Sequence, residues 1–465
     1  MSPSYDEVVG TIADYVCGPL PEWRAVHLPL VDALACALLA SADPECTRVI
    51  EPPYSGGDAG GVRVPGTRLS TPPVDAAFAT GALVRWLDFN DTWLAQEWGH
   101  PSDNLGGLLP LCDHLAGSSR DRRPTTADLM VALAQAYEIQ GALAGHTALN
   151  RHGLDHTGFV RVATAAVATR LLGGRRDQVA AAVAHAFADA GPLRVFRHAP
   201  NVTWRKSWAA GDAVARGLWL AGHAVRVDDA PPRPLTTPGW GLQDALLDGE
   251  PILLDGPLGS RVAEGVLLKP WFPGEYHGHS AVEATLTLRE RVLPWLTEVS
   301  RIDVAACEAA VRIIDKRGPL SGHADRDHCL QYMVAIALLY GAPTGRHYGD
   351  VVAADPRIDR LREVTSATED PAYTRAYHDP GQRAVPARVT IHGPAGLAES
   401  SEVWFPVGHP RRRAEATPLV EAKLRRGLQT ALPDADHDLA TLLLDADALG
   451  ALPVDVLLDR LTPGA

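Results

Sequence analysis

Segments rich in alanine and leucine, with apolar residues at helical spacing, fill the chain from about Tyr5 to His223. Residues 30–39 and 162–168 are typical, and glycine, proline, aspartate or asparagine interrupts the pattern between segments. This spacing predicts successive helices, and the many small side chains predict that the helices pack closely. The first half of the chain is therefore expected to form one large helical domain.

The sequence changes character after Gly265. A proline-rich stretch at residues 230–239 ends the helical run and is expected to form a loop. β-Branched residues in partly alternating order then predict strands at residues 304–314, 387–391 and 402–407. A helix is expected among them, at residues 327–339.

The length of the chain, 465 residues, exceeds what one hydrophobic core usually serves, so two domains are expected. The stretch from Pro418 to Leu461 again has a helical pattern, which would allow it to pack back on the first domain. The predicted fold is mainly α with an α+β part. Residues 1–265 form a large all-helical domain, residues 266–410 form a smaller α+β lid domain, and C-terminal helices in residues 411–465 complete the helical domain.

Charge and cysteine usage exclude several classes of protein. The net charge is −13, whereas nucleic acid and anionic membranes both need a basic face on their partner. No apolar run is long enough to span a bilayer, and the amino-terminal residues lack the basic and apolar regions of a signal peptide, so a cytoplasmic location is expected. The six cysteines are scattered, without a CxxC pair, which argues against zinc, an iron–sulfur cluster or a disulfide framework.

Lysine is rare in this chain, because arginine supplies nearly all of its 43 basic residues. The only lysines are Lys206, Lys269, Lys316 and Lys423. Lysine is a compact charge with a movable pKa, and arginine cannot replace it in acid–base chemistry. The retained lysines are therefore candidates for function.

Residues 87–104 combine three groups that suit proton transfer. If the apolar run at residues 82–84 is helical and continues, Asp88 and Thr92 project from one face, one turn apart. His100 follows in a break rich in glycine, proline, serine and asparagine, where a side chain can face a cleft. A carboxylate, a hydroxyl and an imidazole together suit acid–base work on an oxygen-rich substrate. A helix end with a capping histidine would give the same pattern.

Two further segments place polar residues where a loop meets a helix. Ser207 is a candidate N-cap, which would put Lys206 beside free backbone N–H groups at the positive end of a helix. Such a position suits a carboxylate ligand. His156 precedes a long apolar helix in the same way.

The second half of the chain contributes two more candidate clusters. His328 and Tyr332 would share a helical face one turn apart. Lys269, His277 and His279 lie on an irregular, proline-containing turn at the predicted domain boundary, where clefts tend to form. The two histidines have no partner carboxylate or thiolate at clear spacing, so no metal is predicted.

Ten strings in order along the chain resemble the MmgE/PrpD superfamily. They are LDFNDTW, GHPSDN, NRHGLDH, RKSWAAGDA, FPGEYH with SAVEA, RIIDKRGPL, ADRDHCLQYMVA, DPRID, EDPAYTRAYHDP and FPVGHPRRR. The resemblance implies a helical domain built from both ends of the chain, an α+β lid and a homodimer. It also implies that no metal, iron–sulfur cluster or other cofactor is needed.

The activity implied by the resemblance is removal of water from a small tricarboxylate: 2-methylcitrate would give 2-methyl-cis-aconitate in propionate breakdown, with citrate as a possible second substrate. The implied site comprises Asp88, Thr92, His100, His156, Lys206, Lys269 and Tyr332, with Ser207 and His277 as further binding residues and His279 as an alternative to His277. His100 and His156 would be the acid–base pair, with Asp88 orienting His100 or raising its basicity. Lys206, Lys269 and the helix N-terminus at Ser207 would stabilise the carbanion.

Three alternatives remain open from the sequence. A decarboxylase of the cis-aconitate type would use similar residues to stabilise the same kind of carbanion but would release carbon dioxide. An epimerase or isomerase would simply reprotonate the carbanion. A catalytically silent helical binding protein is the third alternative, which the presence of all the candidate lysines and histidines disfavours.

Overall fold

A computed structural model describes residues 5–53, 61–118, 123–198, 201–227, 229–434 and 438–464. The first half is helical, as its apolar spacing predicts. Its helices are α1 (Glu7–Cys17), α2 (His27–Ala40), α3 (Pro44–Ile50), α4 (Pro73–Arg85), α5 (Leu105–Ser118), α6 (Thr126–His146), α7 (Thr157–Leu171), α8 (Arg176–Ala188), α9 (Arg205–Ala224), α10 (Leu242–Leu246) and α11 (Arg261–Gly265). Two short antiparallel pairs interrupt them: β1 (Val62–Arg63) with β2 (Ser70–Thr71), and β3 (Trp93–Leu94) with β4 (Trp98–Gly99).

Glycines allow the central helices to approach closely. Helix α9 packs against both α4 and α7. A Cβ atom at Gly211 of α9 would lie only 2.4 Å from the carbonyl oxygen of Phe78 in α4, and one at Gly106 would lie 2.5 Å from the Cα of Gly81. Larger side chains would force these helices apart, so the small residues are needed for this packing.

A four-stranded mixed sheet lies in the second half, in the order β6-β5-β7-β8, with β5 parallel to β6 and antiparallel to β7. The elements are α12 (His279–Val292), β5 (Arg301–Ala306), α13 (Glu308–Ile314), α14 (His323–Arg326), α15 (Leu330–Tyr340), α16 (Asp350–Ala353), α17 (Pro356–Glu363), β6 (Thr365–Glu369), α18 (Pro371–His378), β7 (Ala387–His392) and β8 (Ala398–Val403). The sheet, α12 and α15 enclose a hydrophobic core separate from that of the helical half.

Three predicted boundaries in this half are wrong. The strand predicted at residues 304–314 ends at Ala306, and the β-branched residues that follow belong to α13. The strand predicted at residues 402–407 ends at Val403. The helix predicted from residue 327 begins at Leu330, which leaves His328 outside it.

The chain returns to the helical half through α19 (Arg413–Ala431), α20 (Asp438–Leu444), α21 (Ala446–Ala451) and α22 (Val454–Arg460). Helix α19 packs on α2, and its apolar residues join the core of the helical half. Its buried Lys423 donates from Nζ to Asp32 at 2.8 Å, to the carbonyl of Phe89 at 2.7 Å and to the carbonyl of Lys269 at 3.3 Å. One side chain thus ties together two distant loops.

No single helix among the described residues is long and apolar enough to cross a membrane. One pair, Arg24–Ala40 with Pro44–Ile50, passes the same test of length and composition, but it is bent by 101°.

Candidate active site

A cavity of about 300 Å³ is lined by residues from both the helical and the α+β halves. Of the side chains described around it, six are cationic and two are carboxylates. The cations are Arg85, Arg194, Arg197, Lys269, Arg312 and Lys316, and the carboxylates are Asp88 and Glu275. A chain with a net charge of −13 therefore contains a locally positive cavity, which favours a polyanionic ligand.

Asp88 lies at the cavity in an ion-paired state. Lys269 donates from Nζ to its Oδ1 and, at 2.9 Å, to its carbonyl, while Arg85 Nη1 lies 2.9 Å from Oδ1. Burial alone would raise the pKa of Asp88, but Arg85 and Lys269 hold it well below its usual range. The carboxylate is therefore ionised, and it neutralises part of the positive charge.

The predicted helical spacing of Asp88 and Thr92 is wrong. Helix α4 ends at Arg85, and Asp88 has a φ of +50°, in the left-handed region. Thr92 instead pairs through its backbone with Leu267, at 2.7 and 2.8 Å. Both side chains reach the cavity, but through a loop anchored to the domain connection rather than along one helical face.

His100 is oriented by the backbone of Asp91 and not, as predicted, by Asp88. Its Nδ1–H donates to the Asp91 carbonyl at 2.6 Å, which leaves Nε2 as the nitrogen that can accept a proton. The Asp91 carboxylate is itself held by the Ser102 hydroxyl at 2.7 Å and the Tyr137 hydroxyl at 2.8 Å. A buried network thus determines the tautomer of His100.

His156 lies beside His100, with ring centroids 5.5 Å apart, immediately before α7. Neither of its ring nitrogens has a hydrogen bond within the described chain. Burial lowers the pKa of both histidines well below the usual range, and nearby arginines lower it further. Both imidazoles are therefore neutral near pH 7, the state in which a histidine acts as a base.

Lys206 and Ser207 do not line the cavity, and the N-cap prediction for Ser207 is wrong. Helix α9 begins three residues earlier than this prediction, at Arg205, and the Ser207 hydroxyl donates to the carbonyl of Trp86 at 3.2 Å. The backbone N–H groups of Lys206 and Ser207 also bond to carbonyls, at 3.1 and 2.9 Å, so they are not free for a carboxylate. The Lys206 ammonium instead donates to both oxygens of Asp327, at 2.6 and 2.8 Å.

The turn after Lys269 brings His277, and not His279, to the cavity. His277 donates from Nδ1 to Glu275 at 2.7 Å, and its Nε2 lies 3.1 Å from the hydroxyl of Tyr377. Burial alone would raise the pKa of Glu275, but His277 lowers it to about 2. His279 is buried against Phe272, with ring centroids 4.2 Å apart.

Tyr332 lies in α15, which begins at Leu330, and it does not line the cavity. Its hydroxyl donates to the carbonyl of His347 at 2.7 Å. The prediction that His328 and Tyr332 share a helical face is therefore wrong. His328 alone lines the cavity.

Sequence reasoning missed most of the cationic lining. Arg194 and Arg197 lie in a single turn between α8 and α9, where the buried Asp155 contacts both, at 3.6 Å and 3.1 Å. Burial alone would raise the pKa of Asp155, but Arg197 and the neighbouring cations hold it well below its usual range. Nothing in the local pattern marks these arginines, since their position depends on a contact about forty residues away.

Asp88, Asp327 and His328 bring three possible metal-ligand atoms within 4.8 Å of one another. Lys206 already donates to Asp327, and Lys269 to Asp88. Two ammonium groups thus supply the positive charge that these carboxylates need. The donor set fits an ion-pair network better than a metal centre.

A cationic cavity with neutral imidazoles is the kind of site that enzymes use for acid–base chemistry on small anions. The chain belongs to the MmgE/PrpD family: the model of its N-terminal domain matches residues 11–254, and that of its C-terminal domain matches residues 272–445.

Characterised relatives extend the similarity over nearly the whole chain. It is 43% identical to a 2-methylcitrate dehydratase of Escherichia coli (98% of this chain, 97% of the relative) and 43% identical to one of Cupriavidus necator, with the same coverage. It is 40% identical to the mitochondrial 2-methylcitrate dehydratase of Yarrowia lipolytica, over 93% of this chain and 86% of the relative.

Proposed function

We propose that this protein is a hydro-lyase that converts 2-methylcitrate to 2-methyl-cis-aconitate, with citrate as a possible second substrate. The observation that carries the proposal is the cavity, where six cations surround neutral histidines in an otherwise acidic chain. The near full-length similarity to 2-methylcitrate dehydratases supports this choice of substrate. On the resemblance alone, we also propose a cytoplasmic homodimer that acts in propionate catabolism.

The cationic side chains bind the three carboxylates of the substrate. Arg194 and Arg197 pair with Asp155, and Arg312 pairs with Glu308, but neither carboxylate lines the cavity, so these three guanidinium groups are the ones that we assign to the ligand. Guanidinium groups bind carboxylates through two parallel hydrogen bonds, which orients a ligand as well as attracting it. Oriented binding brings the reacting C–H bond toward the histidines.

The chemical step removes a weakly acidic proton beside a carboxylate. Nε2 of His100 accepts this proton, with His156 as its neighbour in the cavity. Negative charge then develops on the substrate carboxylate, where Lys269 and Arg85 stabilise it without rearrangement. The electron pair forms the C=C bond as the hydroxyl takes up a proton from an acid in the cavity and leaves as water. These side chains supply the charge stabilisation, so the proposal needs no metal or other cofactor.

The test of this function is the formation of a conjugated unsaturated acid, followed by ultraviolet absorbance, after metal-stripped protein is added to 2-methylcitrate or citrate. A rise in absorbance with 2-methylcitrate is expected. Carbon dioxide release from cis-aconitate would instead identify a decarboxylase. Exchange of substrate hydrogen with deuterated water, without an unsaturated product, would identify an epimerase or isomerase.

Replacing Arg194 with glutamine is expected to raise KM about tenfold to a hundredfold, with a smaller effect on kcat, because a charged hydrogen bond to the bound carboxylate is lost. The buried Nη1 of Arg194 has no hydrogen bond within the described chain. Steady-state kinetics with 2-methylcitrate measures the effect. Arg216→Gln is the matched control, since Arg216 pairs with Asp189 at the surface at 2.7 Å. An unchanged KM in Arg194→Gln would contradict the assignment.

A further inference from the structure

His328 differs from the other cavity histidines in its surroundings. It follows α14, and its Nδ1 lies 2.7 Å from Oδ1 of Asp327, while its Nε2 lies 3.6 Å from Oδ2 of Asp88. The imidazole therefore lies between two buried carboxylates. His100, in contrast, lies near Arg85 and Lys269 and receives its orientation from a neutral carbonyl.

The two carboxylates give a protonated His328 a partner for each ring N–H. The Nδ1–H donates to Asp327, and an Nε2–H would point to Oδ2 of Asp88, which is buried and has no hydrogen bond within the described chain. In the neutral form with the proton on Nδ1, the unprotonated Nε2 of His328 would face Oδ2 of Asp88, and both atoms are acceptors. The two carboxylates can therefore accept from both N–H groups of an imidazolium, whereas in the neutral form with the proton on Nε2 the Nδ1 atom accepts from Lys206.

Lys206 limits how tightly His328 holds its proton. Its ammonium lies 3.1 Å from Nδ1 of His328 and donates to both oxygens of Asp327. Burial and Lys206 lower the pKa of His328, whereas Asp327 and Asp88 raise it. Together these effects hold the pKa of His328 below its ordinary value in the free protein, and a bound polyanion would raise that pKa and favour the protonated form, which the two carboxylates hold in place.

Resting on the proposed dehydration, we infer that His328 is the general acid that protonates the departing hydroxyl. His100 takes the proton from carbon, and the C–H electron pair becomes the C=C bond. The C–O bond breaks with its electron pair on oxygen, Nε2–H of His328 protonates that oxygen, and water leaves. Between turnovers the proton on His100 returns to His328 through solvent, so neither atoms nor charge are left over.

Asp327 and Lys206 are positioning residues in this scheme. Asp327 holds the ring through Nδ1, as the carboxylate of a catalytic triad holds its histidine. Lys206 donates to both oxygens of Asp327 and does not itself line the cavity. The buried lysine is thereby connected to the chemistry without contacting the substrate.

A change of leaving group tests the assignment, because fluoride departs without needing a proton. We compare 2-methylcitrate with its analogue that carries fluorine in place of the hydroxyl, in the wild type, His328→Gln and His100→Gln. His328→Gln is expected to lose about 10²–10⁴-fold in water elimination but to retain near-wild-type fluoride release. His100→Gln is expected to lose both reactions, since both need a base.

His323→Gln is the matched control. His323 lies 4.0 Å from the other oxygen of Asp327 but does not line the cavity, so near-wild-type rates are expected with both substrates. If His328→Gln does not fold, His328→Asn serves in its place. A further measurement requires no variant. The wild type is expected to take up a proton when citrate binds, which calorimetry in buffers of different ionisation enthalpy measures.

The outcomes separate this inference from the function on which it rests. Equal losses of water and fluoride elimination in His328→Gln, or retained dehydration, overturn the general-acid role alone. The general-acid role is also overturned if the substituted proteins do not fold and the wild type takes up no proton when citrate binds. A wild type without dehydratase activity overturns the proposed function and this role together.

Discussion

Replacing His100 with glutamine is expected to lower kcat about 10²–10⁴-fold while the protein remains folded. The Nδ1–H of His100 is held by the carbonyl of Asp91, so Nε2 is the atom that accepts the proton, and an amide cannot take over that function. Steady-state kinetics measures the loss, and the thermal unfolding temperature shows whether the fold is intact. His114→Gln, on the exposed side of α5, is the control and is expected to retain activity. Near-normal turnover in His100→Gln would reject this base.

The same arrangement predicts how the wild-type rate depends on pH. Burial, followed by Arg85 and Lys269, holds the pKa of His100 well below its ordinary value of 6.5. A base is active when deprotonated, so on the acid side kcat/KM is expected to fall as the pH drops through this lowered pKa. An acid limb centred at or above pH 6.5 would contradict the prediction.

Replacing Lys269 with methionine is expected to produce the second large effect, on both activity and stability. Lys269 is only 1% exposed and pairs with Asp88, so its removal leaves a buried carboxylate with Arg85 as its remaining charged hydrogen-bond partner. Breaking a buried pair in this way costs about 3–5 kcal/mol of unfolding free energy. Loss of an electrostatic stabiliser of the transition state lowers kcat by about 10²–10³-fold.

A second substitution separates the two effects of Lys269→Met. Adding Asp88→Asn removes the buried carboxylate but leaves Arg85 without its carboxylate partner, so the double variant is expected to regain at most part of the lost stability and none of the activity. Denaturant unfolding and kcat are measured on the same preparations. Recovery of both quantities together would mean that Lys269 is a structural residue, and a fully active single variant would remove it from the mechanism.

The helical half was predictable because its apolar period runs through most of its helices. The second half was harder, since Val311, Ile313 and Ile314 predict a strand from their side chains yet lie in α13, where tertiary packing overrides local preference. The boundaries at residues 265/266 and 410/411 remain predictions. The sequence could not show where α15 begins, and that three-residue difference is what places His328 at the cavity and Tyr332 away from it.

The site was predictable where its residues lie in short continuous motifs. Asp88, Thr92, His100, Lys269 and His277 all line the cavity, as does His156. The arginines were missed because Arg194 and Arg197 are held by Asp155, about forty residues away, and Arg312 joins them at the cavity from the α+β half. Lys206 was predicted to be catalytic and Ser207 to bind substrate, from an expected helix start that lies three residues too late.

The contacts of Lys423 imply that the cavity is completed late in the synthesis of the chain. It lies 154 residues after Lys269, yet its ammonium bonds to the carbonyls of both Phe89 and Lys269, next to the residues that form the central ion pair. The ribosome thus synthesises all the residues that line the cavity well before Lys423, whose side chain connects the loops of Phe89 and Lys269. A nascent chain that stops short of α19 carries all of these lining residues and still lacks their final geometry. Catalysis therefore begins only when the last part of the polypeptide has emerged and folded back.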